Sequence, residues 1–107
     1  MDKIWTYKGK CHSFDITEEV SYALVSRGLN ELRNFIDSSK EDGFAEGCCD
    51  NIKLFFDTLF GDGEGEVICG RKKSVESHIS AYVSFISFLC AQVEEFSRLR
   101  MLFEVTA

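Results

Sequence analysis

This 107-residue sequence contains no proline. Helices can therefore run without the kinks proline imposes, and a Pro-rich linker is excluded. The sequence also has no CxxC pair. Its cysteines (Cys11, Cys48, Cys49, Cys69 and Cys90) are odd in number, and its two histidines, His12 and His78, lie far apart. Zinc-ligand spacing is absent, and adjacent Cys48 and Cys49 are poorly placed to bridge each other. Reduced, mostly buried thiols in a cytosolic chain are the expectation. Basic residues are in deficit, 12 against 18 acids, for a net charge of −6. That balance disfavours nonspecific attraction to nucleic acid or anionic lipid. No apolar run approaches the ~18 residues a membrane span needs. The longest, "ISAYVSFISFLC", is broken by three serines. The opening "MDKIWTYKGK" lacks the basic-then-apolar layout of a signal peptide. No membrane, nucleic acid, metal or cofactor is expected.

What remains reads as one mainly α-helical domain over residues 1–107, with a short N-terminal β-hairpin, three main helices and a long last helix. Trp5, Thr6 and Tyr7 favour strand, and Lys8-Gly9 suits a two-residue turn. Pairing across it sets Trp5 opposite His12 and Thr6 opposite Cys11, with Trp5, His12 and Phe14 on one face. The first helix begins at "DITEEV", where Asp15 or Thr17 can cap it, and runs to about residue 38. Val20, Leu24, Leu32, Phe35 and Ile36 recur at helical spacing, and Gly28 shares the stripe, where it admits a close backbone. A second helix spans about 42–60, with Phe44, Cys48, Ile52, Phe55, Phe56, Leu59 and Phe60 as its apolar face. The last helix starts near Ser74 and reaches Phe103. Val75, Ile79, Tyr82, Ile86, Leu89, Val93 and Phe96 step by four and three, a heptad seam for lengthwise packing. Ala81, Phe85 and Phe88 form a second apolar face. A surplus of apolar surface on a helix roughly 45 Å long points to a protein partner or to self-association.

Between the second and last helices lies "FFDTLFGDGEGEVICG", with Gly61, Gly63, Gly65 and Gly70. A phosphate loop is excluded by the preceding helix and by Asp62, Glu64 and Glu66, which repel phosphate. An EF-hand fails too, because positions six and twelve from Asp62 are Val67 and Lys73. The expectation is a structural turn on Gly61, Gly63 and Gly70, with Val67 and Ile68 tucked inward and Gly61 ending its helix in a left-handed conformation. "RKK" at 71–73 is a weak nucleic-acid patch without flanking aromatics. No catalytic constellation has local support, so the expected activity is binding and not catalysis.

The same stretch, with its "FFDxLFGxG" core, resembles a family of small tail proteins of siphophages that infect Gram-positive bacteria. The opening "YKGKCHSFDITEEVSYAL" is similar to the family's hairpin, "FD" and acidic-capped helix. The resemblance implies a mainly helical tail assembly chaperone or tail-morphogenesis factor, working by protein–protein binding in the host cytoplasm. Its implied partners are the tape-measure or tail-tube protein, with a homo-oligomer expected. A structural tail or connector subunit, retained in the virion, is the alternative, and a small regulator of a host protein is a second. The candidate contact residues are Tyr82, Phe85, Phe88, Leu89 and Phe96.

Overall fold

The structure, a computed structural model, describes residues 1–40 and 42–106; Glu41, in the segment where the first helical pattern breaks, lies outside the described residues. Strands β1 (Ile4–Tyr7) and β2 (Lys10–Ser13) are followed by helices α1 (Glu19–Ser38), α2 (Phe44–Phe60), α3 (Glu64–Cys69) and α4 (Val75–Thr106). The strands pair antiparallel with Trp5 opposite His12 and Thr6 opposite Cys11. Lys8 and Gly9 both have positive φ, 48° and 78°, which matches the right-handed twist of the flanking strands. A mainly α fold with one short hairpin and a long carboxyl-terminal helix is what the molecule has.

The core is aromatic. Trp5 stacks on Phe56 with centroids 5.5 Å apart and meets the edge of Phe85 at 5.0 Å. Phe85 also touches Phe14, Phe55, Phe60 and Phe88, so one ring on α4 joins the hairpin to α2. Gln92 locks the chain entry onto α4. Its Oε1 accepts from the Ile16 amide at 2.9 Å, and its Nε2 donates to the carbonyls of Phe14 and Asp2 at 2.7 and 2.8 Å. Buried backbone groups that would otherwise cost ~1–3 kcal/mol each are satisfied this way.

Helix α2 packs against α1, α3 and α4, whereas α1 and α4 scarcely meet. The first helix begins later than its capping signals imply. Asp15 accepts from the amide and hydroxyl of Thr17, at 2.9 and 2.6 Å, in a turn ahead of Glu19. Its inward residues are Val25, Gly28 and Leu32, while Val20 and Ile36 of the expected stripe are exposed. A side chain, not a backbone, lies over Gly28. A Cβ there would sit 2.8 Å from the Phe55 ring.

Candidate binding surfaces of the last helix

The glycine stretch folds as a turn that seats α3. Gly61 ends α2 at φ 113° and ψ 159°, and its amide donates to the Asp57 carbonyl. This is a positive-φ, extended conformation open mainly to glycine, and not the left-handed helical one expected. Gly63 and Gly70 bracket α3 at φ 88° and 90°. Gly65 matters for a different reason: a Cβ there would lie 2.2 Å from the Lys53 carbonyl oxygen of α2. The Asp57 carboxylate accepts from the Gly65 amide at 2.7 Å. His12 reaches Glu64 at 3.0 Å, Lys10 donates to the Val67 carbonyl, and both clamp the hairpin onto α3. Ile68 points inward as expected, but Val67 is exposed. Among the described residues no three His, Cys, Asp or Glu side chains gather in metal-binding geometry. Burial pushes the Cys69 thiol up to about 12, so it stays protonated and poorly nucleophilic.

Helix α4 carries the more informative surfaces. Its inward stripe is His78, Ala81, Phe85, Leu89 and Gln92. His78 holds its place by an Nδ1 hydrogen bond to the Ser74 carbonyl at 2.7 Å, with Nε2 buried and unpartnered. The expected division of this helix holds only in part: Val75, Tyr82, Ile86 and Leu89 of the expected seam pack on the core, but so do residues assigned to the spare face. Phe85, assigned to a spare outer face, is 0% exposed, and Leu89 is buried with it. Phe88 is half-buried against Phe85. Neither Phe85 nor Leu89 can serve as a contact residue. Ile79, Val93 and Phe96, assigned to the core seam, are exposed. Tyr82 is half-buried with its ring edge against Phe55, and burial raises its phenol pKa. It lines a cleft of about 290 Å³ between α1 and α4, floored by α2, with Leu32, Ile36, Phe44, Ile52 and Ile79.

Two exposed apolar surfaces result. The first is the end of α4. The inward stripe continues past Gln92 at Phe96, Leu99 and Phe103, in steps of four, three and four, and there all three side chains are exposed. Phe103 is 71% exposed and Leu102 beside it 62%. The helix reaches well beyond its partners, and the molecule is 53 Å long against 32 and 21 Å in the other directions. Phe96, at the root of this projection, lies near Ile16 and Tyr22 at the start of α1. Only Phe96 was legible as a contact residue in the sequence. The repeat 96, 99, 103 was readable too, given that the other helices are too short to cover it.

The second surface is the outer side of α4. No Asp, Glu, Lys or Arg occurs between Glu76 and Glu94 on any side of the helix. Ser84 and Ser80 on one flank accept hydrogen bonds from Trp5 Nε1 and the Tyr7 hydroxyl, at 3.1 and 3.2 Å. What faces outward is Ile79, Val83, Ser87, Cys90 and Val93, with Ile86 half-buried against the core beside them. No helix is long and apolar enough to cross a membrane, among the described residues.

A family model matches residues 9–103, from the hairpin turn through most of α4. The chain belongs to DUF6673, a family of unknown function. Neither a curated protein nor a solved structure matches the chain.

Proposed function

We propose that this protein is a bacteriophage tail-morphogenesis factor of the tail assembly chaperone type, acting by protein–protein binding in the host cytoplasm. In this reading the projecting end of α4 holds helical segments of the tape-measure or tail-tube protein until assembly. The observation that carries the binding role is the apolar stripe of Phe96, Leu99 and Phe103, which leaves the core and continues uncovered beyond it. Each such side chain is worth roughly 1.5–3 kcal/mol when covered. Three of them spaced along one helix face match the anchors of helix-in-groove or helix-pair recognition. Glu94, Glu95, Arg98, Arg100 and Glu104 flank the stripe, with Arg98 and Arg100 paired within the helix, so the segment stays soluble when free. The tail assignment itself is supported by the resemblance of residues 55–70 and of the hairpin-"FD"-helix opening.

The test is co-purification of the tagged chain with a co-expressed tape-measure protein. A Leu99→Glu, Phe103→Glu variant, unchanged in circular dichroism, should lose that partner at least tenfold. Purified virions should lack the protein. Its presence there in stoichiometric amount would establish the structural-subunit reading instead. Undiminished capture by the double variant would remove the projecting end from the binding site.

A further inference from the structure

From the gap between α1 and α4 we infer that this chain takes an amphipathic helix of its partner lengthwise, with a basic side chain of that helix beside Glu19. The groove extends the binding role proposed above, on which it rests, from the projecting end of α4 into the body of the fold. Helix α2 packs on both α1 and α4, which scarcely meet each other. Three hollows follow one another along the gap. The apolar cleft is bordered by Ile36 of α1 and Ile79 of α4, and a hollow of about 630 Å³ shares its Leu32, Ile36 and Tyr82 and adds Ser26, Leu29 and Arg33. The third, about 300 Å³, lies among Glu19, Tyr22 and Phe96. The α1 wall, Glu19, Tyr22, Ser26, Leu29, Arg33 and Ile36, thus steps by three and four. Ile79, Tyr82 and Phe96 of α4 stand in one heptad register, the spacing of a helix that packs on another helix.

Apart from Tyr82, the side chains around the cleft offer no hydroxyl, amide or charge to an occupant's backbone. An extended segment would leave its N–H and C=O groups unpaired against them, whereas a helix bonds its own. From Ile79 to Phe103 the groove and the projecting end run about 36 Å, the length of a helix of about 24 residues. Charge then selects among helices. Helix α4 has none between Glu76 and Glu94, and Arg33 and Asp37 stand together in the middle hollow, where they offset each other. Arg98 and Arg100 are taken up by Glu94, Glu95 and Glu104. Glu19 is exposed at its hollow and makes no ion pair among the described residues, so a lysine or arginine fits there and an acid does not.

The probes are two labelled peptides of about 24 residues with leucines at heptad spacing, one flanked by lysines and its twin by glutamates. Added to the full chain, the lysine peptide should gain helical circular dichroism and bind at least threefold more tightly than the glutamate twin. An Ile36→Asn, Ile79→Asn variant, changed at two exposed positions, should bind at least tenfold more weakly with its own fold intact. If that variant unfolds, Leu29→Asn in the middle hollow reads the same loss. Glu19→Gln should narrow the preference for lysine. Binding that ignores the groove variants, an unchanged preference in Glu19→Gln, or no binding of either peptide would each overturn the proposal. Peptide binding without capture of the tape-measure protein would remove the tail assignment and leave the groove standing. Capture that Leu99→Glu, Phe103→Glu abolishes and Ile36→Asn, Ile79→Asn leaves intact would confine the site to the projecting end and overturn the groove alone.

Discussion

Phe85 and Val83 stand two residues apart on α4, both apolar, and their surroundings differ completely. Phe85 is fully enclosed by rings from the hairpin and α2, while Val83 is 55% exposed beside a cleft. The same contrast runs along the helix. The inner stripe contains a histidine, an alanine and a glutamine among its members, whereas the outer stripe is almost wholly aliphatic. Hydrophobicity alone therefore picks the wrong side. What assigns the inner side is shape and hydrogen bonding: Ala81 gives room for close packing, and Gln92 supplies the partners that the chain entry needs.

The contrast is broken most severely by charging the inner side. Phe85→Glu, Phe88→Glu puts a carboxylate at the most enclosed ring position, and the chain should lose its helical circular dichroism signal and not merely change mass. Whole-domain stability is ~5–15 kcal/mol, and an unpaired buried charge consumes most of it. A folded double variant would mean that the inner stripe is misplaced. Gln92→Leu comes next. It fills a similar volume but strands the Phe14 carbonyl and Ile16 amide, with an expected loss of about 2–3 kcal/mol in urea unfolding. Amide exchange should quicken first in the hairpin; uniform protection there would show that Gln92 does not hold it. Gly65→Ala is expected to cost about 1–3 kcal/mol, because the added methyl meets the Lys53 carbonyl and α3 must shift. An unchanged midpoint would show that α3 is loosely docked.

Much of the fold was legible in the residues. Strand propensity around Trp5 and the Lys8-Gly9 turn fix the hairpin register, and the helix-ending glycines locate α2 and α3. The phase of the helices was harder to read. On α1 the aliphatic Val20 and Ile36 lie outside, and Gly28 makes room for the Phe55 ring. On α4 the stripe of four and three straddles two sides: Val75, Tyr82, Ile86 and Leu89 pack on the core, while Ile79, Val93 and Phe96 are exposed. A repeat reports that a face is apolar, not whether the partner that covers it is in the same chain. Buried polar residues such as His78 and Gln92 mark the inner side only once their hydrogen-bond partners are known, and those lie as close as Ser74 and as far away as Asp2. Of the candidate contact residues, Phe96 kept its place at a surface because it sits where α4 leaves the body, whereas Phe85 and Leu89 became core.

The division of α4 into an inner, structural side and an exposed outer side is tested most directly by unfolding Phe85→Ala and Val83→Arg in urea, side by side. Phe85→Ala should lose about 3–5 kcal/mol, the usual range for emptying a buried phenylalanine site. Val83→Arg should match the parent within about 0.5 kcal/mol, as surface changes do. Comparable losses in both variants, or a larger loss in Val83→Arg, would contradict the assignment of the two sides.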